Sequence, residues 1–174
     1  RYIGIDKIWS GVSASAVKVK SAGTGGLIIQ SDLLDGLALK ANSVDLIFAC
    51  FLVYTIADSQ KRNRLMRNLR HILKPGGKLI LINPTQGYNA ESIIRVSLEE
   101  TRKRDGILYW FIKKMIVYPL TLKFGLRHVQ NQLATGVWHA YSQDELCNDI
   151  REGGFEVKHI EQVYANSAYL VVAE

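Results

Sequence analysis

The chain has 174 residues, 48% of them hydrophobic and 22% charged, which is ordinary for a globular protein and enough for one domain with its own core. A net charge of +6 permits anionic partners without requiring one, and no apolar run reaches the roughly 18 residues that a membrane-spanning helix needs. Cys50 and Cys147 stand far apart, which predicts two free thiols, no metal site and a reducing, cytoplasmic location.

The first part of the chain predicts parallel strands that alternate with helices. Short, almost entirely apolar runs are typical of strands that are covered on both faces of a sheet. Such runs occupy residues 2–6, 27–30 and 45–51. A helix over about residues 11–21, with Ser10 as its N-cap, separates the first two strands and ends at the glycine-rich break of residues 23–26.

A longer helix and a fourth strand follow. Asp58 is the predicted start of the helix, and Pro75 with the two glycines after it is the predicted end. Apolar residues at spacings of three and four form one stripe along this helix, at Leu65, Met66, Leu69, Ile72 and Leu73. Residues 79–82 predict the next strand, and Asn83-Pro84 ends it.

Residues 85–140 depart from this alternation and predict a helical insertion within a single domain that spans residues 1–174. The insertion contains eight Lys or Arg and four Asp or Glu, and Pro119 is expected to interrupt its aromatic-rich helix. Its basic and aromatic stretch contains Trp110, Phe111, Met115, Ile116, Tyr118 and Phe124 together with Lys113, Lys114 and Lys123. We expect a lid over the substrate. The alternatives are a helix packed on its own domain and a peripheral contact with an anionic membrane surface through residues 107–127.

The C-terminal part predicts a helix and a hairpin. Ser142 caps the helix with Glu145 at the capping-box position, and Gly153-Gly154 ends it. Residues 155–163 and 168–173 then form two strands. A loop of about four residues is too short for a parallel crossover, so these strands must pair antiparallel.

Two carboxylates end neighbouring strands of the predicted sheet. Ligands of such sheets bind at the carboxyl ends of the strands, where Asp6 can accept hydrogen bonds from ribose hydroxyls and Asp32 from an adenine amino group. The alternatives are a solvated strand-end carboxylate for Asp6 and an Asx turn or N-cap for Asp32.

Four further positions are candidates for contact with a substrate. Tyr54 follows the third strand, and Trp138, His139 and Tyr141 follow the insertion. A histidine near a substrate pocket can act as a general base, although a surface or hydrogen-bonded role is the common alternative for His139. The chain has no phosphate-binding loop, no serine elbow and no RNA-reading pattern, so we expect no nucleic-acid partner.

Several segments together resemble the class I S-adenosylmethionine-dependent methyltransferases, in their small-molecule branch (type 11/12-like). They cover most of the chain outside residues 85–137. The segments are Tyr2-Ile-Gly-Ile-Asp6, Ile28-Ile-Gln-Ser-Asp32, residues 42–54, Arg70-His-Ile-Leu-Lys-Pro-Gly-Gly-Lys-Leu-Ile-Leu81, Tyr141-Ser-Gln-Asp-Glu-Leu146 and Gly153-Gly-Phe-Glu-Val157. The resemblance implies an α/β, Rossmann-like sheet, mostly parallel, with a C-terminal antiparallel hairpin.

The resemblance also implies the ligands. S-adenosylmethionine would be held by Asp6, Lys7, Ile8, Ser31, Asp32, Leu33, Cys50 and Phe51. A small-molecule acceptor, apolar or lipid-like, would contact Tyr54, Asn83 and Trp138, with His139 and Tyr141 as the catalytic candidates. The methyl group would pass to the acceptor by direct displacement.

The chain departs from the family pattern in one respect. The family's first strand, with its acidic-x-Gly-x-Gly loop, should precede the strand at residues 2–6, and residues 23–26 stand in the wrong order to replace that loop. We therefore expect an N-terminally incomplete domain whose second and fourth strands lack their common neighbour. The alternative functions are an NAD(P)-dependent oxidoreductase and a non-catalytic remnant that binds a membrane surface or a partner.

Overall fold

The computed structural model describes residues 2–23, 25–36 and 39–174. Of the residues discussed above, Thr24 in the glycine-rich break and the side chain of Phe124 lie outside the described part. The described residues form two sheets, with one helix against the smaller sheet and two helices near the larger one.

The smaller sheet contains β1 (Tyr2–Asp6) and β2 (Gly26–Gln30), which pair in parallel, and α1 (Trp9–Ser21) connects and contacts them. The helix begins two residues earlier than expected, with Ile8 at the cap position, so the prediction of Ser10 as the N-cap is wrong. The carboxylate of Asp6 instead accepts a hydrogen bond from the Ile8 amide at 2.8 Å and so satisfies a donor at the entry to α1.

The larger sheet has the strand order β3-β4-β6-β5. Its strands are β3 (Val44–Cys50), β4 (Leu73–Pro84), β5 (Val157–Val163) and β6 (Ala168–Ala173). β3 and β4 are parallel, whereas β6 pairs antiparallel with both β4 and β5. The antiparallel hairpin that the short loop predicted is confirmed.

Two helices, α2 (Ser59–Ile72) and α7 (Gln143–Glu152), pack against each other and contact the larger sheet. The predicted N-cap residues of both helices are confirmed. Asp58 accepts from the Gln60 and Lys61 amides, and Ser142 accepts from the Glu145 amide. α2 ends at Ile72, and the Pro-Gly-Gly segment bulges out of β4, where Gly76 takes a φ of +73°.

The insertion is more continuously helical than expected. It contains α3 (Ala90–Asp105), α4 (Ile107–Ile112), α5 (Tyr118–Thr121) and α6 (Arg127–Ala134), with π-helical turns at Lys113–Val117 and Leu122–Leu126. The prediction that Pro119 interrupts the helix is wrong. Pro119 lies at the start of α5, directly after a π-helical turn, and the backbone continues in helical conformation on both sides of it.

The core lies against the larger sheet. Leu65, Met66 and Leu69 of α2 pack with Leu79 and Leu81 of β4 and with residues of α7 and β6. In contrast, several strand residues are exposed, among them Leu27 of β2 at 58% and Phe48 of β3 at 62%. For β1, β2 and β3, the prediction that the described strands are covered on both faces is therefore wrong.

The two sheets are separate. Within the described residues, β1 pairs with β2 alone and β3 with β4 alone, so each has one edge without a partner strand. The loop after β2 connects the two halves: Leu33 and Leu34 pack against the main core, and Arg64 donates to the Leu34 carbonyl oxygen at 2.8 Å. In the described residues, no helix is both long and apolar enough to cross a bilayer.

Candidate functional site

The first group of predicted site residues gathers at the carboxyl ends of β1 and β2. The Ser31 amide donates to the Asp6 carbonyl oxygen at 3.1 Å, and the Gln30 side chain donates to the Lys7 carbonyl oxygen at 3.2 Å. These bonds hold the two strand ends side by side. Asp6, Lys7, Ser31 and Asp32 therefore lie together, as the parallel pairing requires.

Asp32 forms an ion pair with Lys7. The Lys7 Nζ lies 2.7 Å from Asp32 Oδ2, and the Leu34 amide donates to Oδ1 at 3.0 Å. The hydrogen bond from Lys7 holds the pKa of the Asp32 carboxyl below its ordinary value, and the same bond raises the pKa of Lys7. Asp32 thus has the Asx-turn bond that was the alternative to ligand binding, and its carboxylate is ionised at neutral pH.

Asp6 packs against the first turn of α1 at Gly11. A Cβ atom at Gly11 would lie 2.3 Å from Asp6 Oδ2, closer than any real contact. Oδ1 accepts from the Ile8 amide, and among the described residues Oδ2 has no hydrogen-bond partner. Gly11 therefore leaves room for the Asp6 carboxylate, a requirement that the sequence did not indicate.

We expect Gly11→Ala to displace the Asp6 carboxylate. Alanine has a higher helix propensity than glycine, but displacement of Asp6 weakens the hydrogen bond that the Ile8 amide donates to it, so the free energy of unfolding should change by no more than about 1 kcal/mol. The affinity for a ligand that hydrogen-bonds to Asp6 should fall about tenfold or more, since charge-assisted hydrogen bonds contribute about 1.5–3 kcal/mol each. Calorimetric titration with S-adenosylhomocysteine measures the affinity.

Gly25→Ala is the matched control, because a Cβ atom there would have no neighbour within 4 Å. Equal affinities for Gly11→Ala and the unaltered chain would show that the position of the Asp6 carboxylate does not matter for binding.

The second group lies beyond the carboxyl end of β3. Cys50 is the last residue of the strand and is exposed, and Phe51 follows with a φ of +52°, in the left-handed region that non-glycine residues rarely adopt. The Phe51 ring contacts Tyr54 at 6.0 Å and Tyr164 at 5.8 Å between centroids. The sequence analysis missed Tyr164, because its place in the β5–β6 turn indicated no nearness to β3.

Tyr54, Asn83, Trp138 and His139 are brought together at the ends of β3 and β4. The Tyr54 amide donates to the Asn83 Oδ1 at 3.2 Å, and the His139 amide donates to the Tyr54 carbonyl oxygen at 2.8 Å. The Tyr54 and Trp138 rings meet edge to face at 5.1 Å. Three substrate candidates that lie far apart in the sequence, Tyr54, Asn83 and Trp138, are therefore neighbours in the structure.

Asn83 is fully buried, and its Nδ2 has no hydrogen-bond partner among the described residues. An unpaired buried amide donor costs about 1–3 kcal/mol, which marks this position as unusual. Nearby, burial raises the pKa of Tyr88 to about 12 and also raises that of Tyr54. Both phenols are therefore protonated at neutral pH.

His139 is paired with Glu145 on α7. The Nε2 atom lies 2.7 Å from Glu145 Oε1, and the imidazole contacts the Tyr141 ring at 4.5 Å. The capping-box prediction assigned the Glu145 side chain to the start of α7, but its carboxylate contacts His139 instead. The two groups are close, but His139 Nε2 is buried without a hydrogen-bond partner among the described residues.

Tyr141 lies in the core rather than in a cleft. Its side chain has no exposed surface, and its hydroxyl donates to Asp149 at 3.3 Å. Arg62 donates to the same carboxylate at 2.9 Å, and burial raises the pKa of Tyr141 well above its ordinary value. This environment gives Tyr141 a structural role, since a substrate cannot reach the hydroxyl.

The residues around β1 and β2 fit the nucleoside part of S-adenosylmethionine. Asp6 Oδ2 is free to accept from ribose hydroxyls, and Asp32 is an ionised acceptor beside it. Ile8 is 65% exposed and Leu33 is partly buried, so apolar side chains are available on the same loops. In the described residues, no group of side chains is arranged to hold a metal ion.

Part of the chain matches a known protein family. Residues 1–81 match the sequence model of a methyltransferase domain. No curated protein sequence matches the chain.

Solved structures with the same fold include three from microorganisms. A protein from Pyrococcus horikoshii has a TM-score of 0.63 at 14% identity, with 100% of this chain and 71% of that chain covered. A SAM-dependent methyltransferase from Aquifex aeolicus has a TM-score of 0.61 at 16% identity, with 98% of this chain and 66% of that chain covered. A SAM-dependent methyltransferase from Methanosarcina mazei has a TM-score of 0.64 at 14% identity, with 98% of this chain and 80% of that chain covered.

Residues 1–81 therefore match a methyltransferase domain, and the described part of the chain has the fold of solved structures that include S-adenosylmethionine-dependent methyltransferases.

Proposed function

We propose that the protein transfers a methyl group from S-adenosylmethionine to a small-molecule acceptor. The observation that carries this proposal is the pair of carboxylates, Asp6 and Asp32, held side by side at the carboxyl ends of parallel strands in a methyltransferase fold. When bound, S-adenosylmethionine supplies an electrophilic methyl group on a sulfonium. The contributions of this chain are to hold the cofactor and acceptor in line and to exclude water.

Asp6 and Asp32 have separate roles in this proposal. Asp6 accepts from the ribose hydroxyls through Oδ2, while Oδ1 stays bonded to the Ile8 amide. Asp32 accepts from the adenine edge, and Ile8 with Leu33 provides apolar contact for the ring. Lys7 and Ser31 support this arrangement, Lys7 by its ion pair and Ser31 by its backbone bond to Asp6. Cys50 and Phe51 approach the methionine end.

The acceptor lies beside Tyr54, Asn83 and Trp138. The unpaired Asn83 Nδ2 can donate to a polar atom of the acceptor, and the aromatic rings favour an apolar or lipid-like body. Residues 85–140 act as a lid. The contact between Trp138, near the end of this segment, and the Tyr54 ring supports this role, because it places the segment beside the acceptor candidates.

His139 is the proposed base where the acceptor must lose a proton. The Glu145 carboxylate lies beside the imidazole, although His139 Nε2 has no hydrogen-bond partner among the described residues. Tyr141 helps only by packing against the imidazole.

A strand seated between β1 and β3 would complete this site. Each of these strands has an edge without a partner strand in the described part, and both carry exposed apolar residues such as Ile3 and Phe48. An added parallel strand would satisfy the backbone groups of both edges and join the two sheets. The two free thiols, Cys50 and Cys147, fit the reducing environment of the cytoplasm.

Backbone amide NMR with two ligands tests the proposal. We expect S-adenosylhomocysteine to shift the amide signals of residues 6–8 and 31–34, and to do so at lower concentration than NADH. NADH binding without S-adenosylhomocysteine binding would favour the oxidoreductase. No shift with either ligand would contradict the proposal in favour of a non-catalytic remnant.

A further inference from the structure

The outer side of the insertion is apolar. Large hydrophobic residues that are 44% to 74% exposed recur every four positions in two adjacent rows, and we call this surface the exposed apolar face. The two rows are Ile107, Phe111 and Met115, and Leu108, Ile112 and Ile116. Contiguous exposed apolar surface of this kind marks a binding site rather than a random feature.

The inner side of the same segment is fixed to α3. The Tyr118 hydroxyl hydrogen-bonds to the Ser97 hydroxyl at 2.5 Å, and the Lys113 Nζ donates to the Thr101 hydroxyl at 3.2 Å. The segment therefore already has its packing partner within the domain. The exposed apolar face points away from that partner.

The segment that carries the exposed apolar face is rich in positive charge, part of which is paired with Asp105 and Glu91. Residues 102–127 contain seven Lys or Arg and a single Asp. Arg102, Lys103 and Arg104 are exposed at the end of α3, and Lys114 lies 4.7 Å from the centre of the Trp110 ring. Lys113 lies 5.2 Å from the Tyr109 ring. Lysines beside aromatic and aliphatic side chains can reach the headgroup layer while their stems stay in apolar surroundings.

We propose that the exposed apolar face binds the surface of a membrane rich in anionic lipid, with the helix lying in the plane of the bilayer. The combination of a broad apolar face, flanking lysines and interfacial Tyr and Trp is typical of helices that lie in the headgroup region. A protein partner is disfavoured because the centres of protein interfaces are depleted in lysine. No described helix can span a bilayer, so the contact is peripheral.

This inference goes beyond the proposed methyl transfer, because membrane binding needs neither cofactor nor acceptor. Sedimentation of the cofactor-free chain with vesicles is the test. We expect binding to vesicles of three parts phosphatidylcholine and one part phosphatidylserine, and binding at least about tenfold weaker to phosphatidylcholine alone.

Two sets of variants locate the surface. Leu108→Gln with Ile112→Gln and Ile116→Gln should weaken vesicle binding at least about tenfold, because the face loses its apolar area. The control, Val17→Gln with Val137→Gln, changes residues that are 65% and 57% exposed elsewhere and should leave binding unchanged.

Charge reversal completes the design. Lys103→Glu with Lys114→Glu should weaken binding at least about tenfold, whereas Lys18→Glu with Lys20→Glu on α1 should have little effect, although both pairs change the net charge equally. The proposal is overturned if the chain ignores vesicles, or if binding is the same with and without phosphatidylserine. It is also overturned if the triple variant abolishes self-association in sedimentation velocity while vesicle binding stays intact, since the face would then bind a second copy.

Discussion

Replacing Asp149 with alanine is expected to lower the free energy of unfolding by about 3–5 kcal/mol, because it leaves a buried guanidinium without its carboxylate. The Arg62 and Asp149 side chains are 4% and 9% exposed, and their ion-pair distance is 2.9 Å. Arg62 also donates to the Ile56 and Ala57 carbonyl oxygens, and the Tyr141 hydroxyl donates to Asp149. The network joins α2, α7 and the segment after β3.

Urea denaturation followed by circular dichroism measures this loss. Tyr141→Phe removes one neutral donor to Asp149 and should cost about 1–2 kcal/mol. Arg151→Gln, at the exposed end of α7, is the control and should stay within about 0.5 kcal/mol. If Asp149→Ala behaved like Arg151→Gln, the buried network would not hold the helices together.

Replacing Asp6 with alanine is expected to weaken S-adenosylhomocysteine binding about 100-fold or more. Two charge-assisted hydrogen bonds to the ribose would be lost, each contributing about 1.5–3 kcal/mol. Isothermal titration calorimetry measures the affinity of each variant.

The controls separate ligand contact from folding. Asp6→Asn keeps an oxygen for the Ile8 amide, so α1 should start as before while the charge is lost. Asp35→Ala removes an exposed carboxylate from the loop that holds Asp32 and should change the affinity less than threefold. An Asp6→Asn variant that binds as tightly as the original chain would rule out the ribose role.

Local patterns made much of the fold predictable. The loop between β5 and β6 is too short for any pairing except an antiparallel hairpin, and Asp6 and Asp32 had to lie together once their strands were parallel neighbours. These predictions depend on chain geometry over a few residues. For the same reason the caps of α2 and α7, at Asp58 and Ser142, were correct.

The rest depends on contacts that sequence spacing does not encode. The His139–Glu145 pair competes with a capping box that the sequence favours equally well. The closeness of Gly11 to Asp6 depends on the packing of α1 beside β1, which residue spacing does not fix. Tyr141 is buried where α2 packs against α7. This burial cannot be read from its position beside His139 in the sequence, so Tyr141 was predicted to be catalytic. Pro119 stays within the helix because a π-helical turn precedes it.

The most direct test of the central claim is an experimental structure with S-adenosylhomocysteine bound. We expect the ribose hydroxyls within hydrogen-bond distance of the Asp6 carboxylate, and the adenine between Ile8 and Leu33 with its amino group at Asp32. A ligand bound elsewhere on the chain, with Asp6 facing solvent, would contradict the assignment of the carboxyl ends of β1 and β2 as the cofactor site.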